Sequence, residues 1–141
     1  MSYREELITT IKNKYAETVK RKRKLEDAEK TIIDYFNVIK NNLTTEIEAS
    51  NGDIKLDINI YENEILRFTL CLKQENEIEE VYISFKRVNQ SIDVIMSDYT
   101  SNPYDQLYID DTMTCTNKAG NKLDDTLLDI YLRKAFYIFI H

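Results

Sequence analysis

The residues best suited to acid–base catalysis are scarce in this sequence. Its one histidine is His141, the last residue, and the end of a chain offers little to hold an imidazole in a fixed geometry. Ser-His-Asp and Cys-His arrangements and most zinc sites are therefore not expected. The chain has two glycines and contains neither GxxxxGK nor GxGxxG, so it lacks the usual phosphate-cradling loops. We expect no catalytic residues, no cofactor and a protein that is not an enzyme.

Carboxylates and thiols are the remaining reactive groups. A loop that folded back could offer the oxygens of four aspartates to Mg²⁺ or Ca²⁺. These are Asp98, Asp105, Asp110 and Asp111. The glycine and final glutamate of an EF-hand are absent, so we interpret 98–111 as a solvated acidic loop and expect no metal site. Cys71 has no histidine to serve as its base, and we expect it to be a structural thiol.

The chain shows no sign of a secreted or membrane protein. Its two cysteines, Cys71 and Cys115, lie far apart and form no CxxC pair. The opening Met-Ser-Tyr-Arg-Glu-Glu is charged where a signal peptide is apolar. No stretch approaches the roughly 20 apolar residues that span a bilayer. These features predict a reduced, cytoplasmic location without membrane contact.

Charge is distributed unevenly along the chain. Residues 1–30 hold nine basic and six acidic residues, a net charge of +3, whereas the whole chain carries -6. Five consecutive cations stand out: Lys20, Arg21, Lys22, Arg23 and Lys24. They could line the phosphates of a nucleic acid, or hold an anionic small molecule at a dimer interface. The sequence pI near 4.9 argues against the first alternative, because nucleic-acid-binding domains are usually basic.

Tyrosine is abundant, with ten Tyr and no Trp in the chain. Tyrosine gives a binding surface a large contact area and a polar tip at little entropic cost. The candidates at water-facing strand positions or in loops are Tyr61, Tyr82, Tyr104 and Tyr108. With the acidic composition they favour a protein-binding module, such as an inhibitor, immunity protein, antitoxin or chaperone. Richness in Lys, Ile and Asn suits an AT-rich phage or mobile element whose protein acts on a host factor.

A helical pattern covers residues 3–43, which contain no Gly and no Pro. Ser2 and Glu5 have the spacing of a capping box at its start. Apolar residues recur in a three-four frame, but polar residues interrupt it near the five cations, which would surround the helix. We therefore expect either one long helix or two helices that meet at a bend. Residues 1–24 are a candidate for a projecting helical extension.

Three apolar residues form a stripe on this extension: Ile8, Ile11 and Tyr15. One straight helix of forty residues would span about 60 Å, roughly twice the length of a nine-residue strand. The stripe would then extend past the sheet and need another partner. A second copy of the chain is the simplest one, so we expect dimerisation through these residues. A folded-back helical hairpin is the alternative.

After residue 44 the apolar period changes from three-four to two, which indicates β-strands. Four such segments are joined by short polar linkers, and they cover 54–61, 66–73, 81–86 and 92–97. Residues 107–109 and 113–115 could form a fifth, irregular strand, and residues 124–140 have a wide apolar helical face. The sequence thus predicts one α+β domain, 1–141, with an antiparallel meander of four to five strands and a C-terminal helix packed on one face.

Overall fold

The computed structural model describes residues 2–99 and 103–140; His141 and part of the predicted acidic loop lie outside these ranges. The helices are α1 (Tyr3–Asn42), α2 (Thr44–Ala49), α3 (Asp125–Ala135) and α4 (Tyr137–Ile140). The strands are β1 (Ile54–Asn59), β2 (Glu64–Gln74), β3 (Glu77–Val88), β4 (Ser91–Met96), β5 (Asp105–Ile109) and β6 (Cys115–Asn117). A long helix, an antiparallel sheet and a C-terminal helix in this order confirm the α+β class.

The N-terminal segment is one helix rather than two. The hydroxyl of Ser2 accepts a hydrogen bond from the backbone N–H of Glu5 at 3.2 Å, which caps the start of α1 as the spacing predicts. The helix then continues for 40 residues to Asn42. The cationic run 20–24 stays helical because four of its five side chains remain exposed, so little charge is removed from water.

The first half of α1 extends away from the rest of the molecule. Every residue from Ser2 to Lys20 is exposed. Arg21 is the first side chain of the helix to bond to another element, and Leu25 is the first to be buried. Whether residues 1–24 act as a distinct extension of the domain stays a prediction.

The sheet is a six-stranded meander in which the strands lie in sequence order. All five neighbouring pairs are antiparallel. The predicted count of four to five strands was therefore wrong, because the segment after β4 forms two strands. β6 has only three residues, too few to display a period of two in the sequence.

A hairpin between β5 and β6 replaces the expected irregular strand. The carboxylate of Asp110 accepts hydrogen bonds from the backbone N–H groups of Thr112 and Thr114, at 2.9 and 3.1 Å. Met113 completes the turn at a φ of 63°, a conformation that glycine would favour. The residue types around Met113 do not predict such a turn, so the sequence of residues 113–115 resembles that of a strand.

The strands β2 and β3 are longer than their apolar alternation suggests. They pair as far as Gln74 opposite Glu77, and Glu75 makes the turn at a φ of 48°. Residues 77–80 are exposed, because this end of the hairpin extends beyond the core and needs no apolar face. β1 is instead shorter than its apolar alternation suggests, since the strand stops at Asn59 and Ile60 is 71% exposed.

The two long helices pack on one face of the sheet. α1 buries Leu25, Ala28, Ile32 and Phe36, and α3 buries Leu127, Leu128, Tyr131 and Ala135. The ring of Phe36 lies 4.9 Å from that of Phe68 and 5.6 Å from that of Phe85, centroid to centroid. The C-terminal helix packs on the sheet through this core and is interrupted at Phe136, whose ring contacts Phe68 before α4 begins.

Candidate functional site

The face of the sheet opposite the helices lies outside the core. Its residues form rows across the strands, and one row places Asp57 opposite Thr69 and Thr69 opposite Tyr82. We call this surface the open face. Its residues include Asp57, Arg67, Thr69, Tyr82, Ser84, Asp93, Ile95, Gln106 and Tyr108. Tyrosine, arginine and isoleucine side chains thus occupy a sheet surface that the helices leave uncovered.

An arginine is stacked between two tyrosines on the open face. The guanidinium carbon of Arg67 lies 4.8 Å from the ring centroid of Tyr61 and 4.4 Å from that of Tyr82. Glu64 holds the guanidinium in place, accepting from Nε at 3.1 Å and from Nη2 at 2.7 Å. Ser84 donates a further hydrogen bond to the same carboxylate. Two-point charged hydrogen bonds and cation–π contacts make this cluster rigid. We call it the arginine stack.

A β-bulge in β2 creates the arginine stack. The register shifts between Glu64, which lies opposite Lys86, and Leu66, which lies opposite Phe85. The extra residue, Ile65, is buried together with Leu66, so Glu64 lies on the open face with Arg67. The preceding turn has Asn63 in the left-handed conformation at a φ of 66°, and it brings Tyr61 to the same side.

The tyrosines singled out in the sequence fall into two groups. Tyr61 and Tyr82 meet at the arginine stack, and Tyr108 lies on the open face two strands away from Tyr82 and is 39% exposed. Tyr104 packs against the core instead, with ring centroids 4.8 Å from Tyr99 and 6.3 Å from Tyr131. Burial is the main reason that the pKa of Tyr104 is raised. The structure thus brings together two of the four candidate tyrosines.

The five consecutive cations do not form one surface. The guanidinium of Arg21 bonds to the end of β5, donating from Nη1 to the carbonyl oxygen of Ile109 at 2.7 Å. Lys22 lines a cleft beside it. The other three, Lys20, Arg23 and Lys24, are exposed around the helix. An α-helix turns by about 100° per residue, so consecutive cations point in different directions. The predicted role of the run in binding nucleic acid stays a prediction.

The apolar stripe of α1 is exposed. Ile8, Ile11 and Tyr15 are 47%, 50% and 48% exposed, and Leu7 and Val19 extend the stripe at 47% and 43%. Contiguous exposed apolar side chains are a feature of interaction surfaces. The predicted dimerisation through this stripe stays a prediction.

The four aspartates of the predicted acidic loop do not converge. Asp98 is exposed, Asp105 accepts a hydrogen bond from Tyr131, and Asp111 lies 3.8 Å from Arg21. Hydrogen bonds from Thr112, and then from the backbone of Thr114, lower the pKa of Asp110. Across residues 2–99 and 103–140, no group of three or more His, Cys, Asp or Glu is placed to hold a metal ion.

Both cysteines are free thiols. Cys71 is half-buried on β2, opposite Lys55. Burial, with a smaller effect from Asp110, raises the pKa of Cys115 to about 11. That thiol is protonated at neutral pH and is a poor nucleophile.

The sequence does not reveal that Glu64 and Arg67 pair with each other. Glu64 lies in the polar linker between the alternating segments 54–61 and 66–73, and Arg67 occupies a water-facing position of the second segment. A spacing of three normally places two strand residues on opposite faces. The adjacent apolar pair Ile65-Leu66 was the available signal, because two consecutive buried residues in an alternating strand indicate a bulge.

Two further observations bear on function. In the described part of the chain, no helix combines the length and the apolar character needed to cross a bilayer. Comparisons with protein-family models, with curated proteins and with solved structures found no match, so the surfaces above are the basis for assigning a function.

Proposed function

We propose that this chain is a non-catalytic protein-binding module whose partner docks on the open face of the sheet. The observation that carries the proposal is the arginine stack. In this stack the guanidinium of Arg67 contacts the rings of both Tyr61 and Tyr82.

The composition and rigidity of the stack suit a protein interface. Tyrosine and arginine are among the residues that contribute most to binding when they lie at the centre of an interface. Ordering a long side chain on binding costs about 0.5–1.5 kcal/mol. Glu64 has already fixed Arg67 through two hydrogen bonds, so much of that cost is absent here.

The charges on the open face favour a protein partner over RNA. The guanidinium of Arg67 is neutralised by Glu64, whose side chain is only 8% exposed. Lys86 lies opposite Glu64 on one side and Asp93 on the other. Phosphate binding draws on cations that are free to release counterions. A face whose cations lie among carboxylates is better suited to a folded protein, whose surface carries both positive and negative charges.

The proposal includes the class of protein named from the sequence. An inhibitor, immunity protein, antitoxin or chaperone acts by binding, and a rigid sheet face is sufficient for that. The free thiols Cys71 and Cys115 are consistent with a reduced cytoplasmic compartment. A phage or mobile-element protein acting on a host factor remains part of the proposal.

Replacing Tyr61 by alanine is expected to weaken partner binding about tenfold or more. Tyr61 is 51% exposed, so its truncation removes contact area without disturbing the core. The partner is first captured from host lysate on the immobilised chain and identified, and its affinity for the wild type and the variant is then measured with purified components.

Tyr3→Ala is the matched control. Tyr3 lies at the start of α1 and is 77% exposed, and its replacement by alanine removes a ring of the same size. Its affinity for the partner should stay within about twofold of the wild type. Equal weakening by both variants, or loss of capture when the lysate is treated with nuclease, would argue against the open face as a protein-binding surface.

We also propose that a second copy of the chain covers the apolar stripe of α1. Residues 3–20 extend over about 27 Å as a helix. Helices in proteins draw most of their stability from packing of an amphipathic face, and every residue from Ser2 to Lys20 is exposed. Pairing two stripes would remove five half-exposed apolar side chains from water: Leu7, Ile8, Ile11, Tyr15 and Val19.

Ile11→Glu is expected to shift the chain from dimer to monomer, because the new charge would be buried in the middle of the interface. Molar mass measured by light scattering across a concentration series gives the dissociation constant, which should rise at least about tenfold. Asn13→Glu adds the same charge on the opposite side of the helix and should leave the mass unchanged. A monomeric wild type at every concentration would contradict the proposal.

A further inference from the structure

A cleft lies between α1 and the turn that joins β3 to β4. Its volume is about 280 Å³. Two buried apolar side chains, Leu25 and Ile109, line it. The other lining residues are polar or cationic: Thr18, Arg21, Lys22, Arg87, Asn89 and Gln90.

The charge of this cleft is opposite to that of the chain. Three of its lining side chains are cations, and no carboxylate lines it in the described part of the chain. The protein as a whole carries a net charge of -6. Three cations converging on one concave site repel one another, and an anion bound among them would relieve that repulsion.

Arg21 is positioned by backbone groups on one side of the cleft. Its Nη1 donates to the carbonyl oxygens of Ile109 and Asp110, at 2.7 and 3.4 Å. Its contacts with carboxylates are weak, because the side chain of Glu17 is 74% exposed and that of Asp111 is fully exposed. Exposed ion pairs contribute little free energy. A ligand oxygen can therefore replace either carboxylate while the carbonyls keep the guanidinium in place.

On another side of the cleft, Arg87 is positioned by a half-buried acid, Glu29. Its Nε lies 3.1 Å from a carboxylate oxygen of Glu29, whose side chain is 22% exposed. The contact involves Nε of Arg87, whereas Glu64 contacts both Nε and Nη2 of Arg67, so the terminal nitrogens of Arg87 can donate to an incoming oxyanion. Burial raises the pKa of Glu29, while the charge of Arg87 opposes that shift. Glu29 thus orients Arg87 without lining the cleft itself.

We propose that this cleft binds a small molecule bearing a phosphoryl group, held by Arg21, Lys22 and Arg87. Guanidinium groups match the oxygen geometry of a phosphate, and the lysine ammonium adds a compact charge. The hydroxyl of Thr18 and the amides of Asn89 and Gln90 can bond to further oxygens. The apolar wall of the cleft, formed by Leu25 and Ile109, suits a short carbon skeleton.

The size of the cleft restricts the ligand. Pockets for drug-sized molecules have volumes of about 300–1,000 Å³. A cleft of about 280 Å³ suits a phosphorylated molecule of a few carbon atoms better than a dinucleotide. The site is formed within one chain, so it does not depend on the dimer or on the protein partner proposed above.

Calorimetric titration with glycerol 3-phosphate tests the proposal, and glycerol at the same ionic strength serves as the uncharged control. The wild type should bind glycerol 3-phosphate and not glycerol. Lys22→Gln should weaken that binding about tenfold, because a charge-assisted hydrogen bond is lost. Lys20→Gln removes the same charge from the same helix outside the cleft, and it should change the affinity less than about twofold.

A second measurement locates the bound molecule. On addition of glycerol 3-phosphate, the amide signals of Asn89 and Gln90 should shift in a two-dimensional NMR spectrum, whereas those of the β2–β3 turn should not. Absence of binding to glycerol 3-phosphate would overturn the proposal. Equal losses in Lys20→Gln and Lys22→Gln would also overturn it, as would binding confined to a thymidine oligonucleotide, because both outcomes indicate attraction to surface charge rather than a cleft.

Discussion

Replacing Phe36 by alanine is expected to lower the free energy of unfolding by about 3–5 kcal/mol. Phe36 is fully buried, and its ring touches Phe68 on β2 and Phe85 on β3. The substitution would leave a cavity between α1 and the sheet, because neighbouring rings can only partly move into the space. Equilibrium unfolding in urea, followed by circular dichroism, measures the loss.

Val38→Ala is the control for this experiment, since Val38 lies on the same helix and is 58% exposed. Its unfolding free energy should stay within about 0.5 kcal/mol of the wild type. If Phe36→Ala leaves too little folded protein to measure, Phe36→Leu should show a smaller loss in the same direction. Equal effects of the Phe36 and Val38 substitutions would mean that α1 does not pack on the sheet as described.

The parts of the fold that were predicted from sequence are those that bury one face only. Leu25, Ile32 and Phe36 recur at helical spacing because one side of α1 meets the sheet. The strands β1 to β4 alternate because their other face meets water. Burial on a single side produces a periodic pattern of apolar residues, and that pattern can be recognised without knowing which element the side packs against.

The parts that were missed depend on contacts between distant residues. Arg21 donates to the carbonyl of Ile109, 88 positions along the chain, and nothing in the run 20–24 distinguishes Arg21 from its neighbours. Similarly, Tyr61 and Tyr104 both lie in loops of the structure, yet Tyr61 contacts Arg67 on the open face whereas Tyr104 packs against the core. Whether such a side chain is exposed is decided by the tertiary structure around it.

A polar cluster at the end of the sheet explains how α3 is fixed to β5. The carboxylate of Asp105 accepts hydrogen bonds from the hydroxyl of Tyr131 at 2.6 Å and from the amide of Asn117 at 3.2 Å. Tyr131 and Asn117 are only 2% and 6% exposed. Water is therefore poorly placed to replace Asp105 as the acceptor for either donor.

Asp105→Ala is accordingly expected to lower the free energy of unfolding by about 2–3 kcal/mol, because it leaves two buried donors without an acceptor. Asp111→Ala is the matched control, as the side chain of Asp111 is fully exposed and its distance to Arg21 is 3.8 Å. That variant should change the free energy of unfolding by less than about 0.5 kcal/mol.

A double-mutant cycle separates this explanation from a general effect of removing a charge. In the wild type, Tyr131→Phe should cost about 1 kcal/mol, since one hydrogen bond to Asp105 is lost. In the Asp105→Ala background the same substitution should cost nothing or restore stability, because it removes a donor that has no acceptor. The two substitutions are then coupled by about 1 kcal/mol or more. Additive losses would show that the hydroxyl of Tyr131 and the carboxylate of Asp105 do not stabilise the fold through their mutual hydrogen bond.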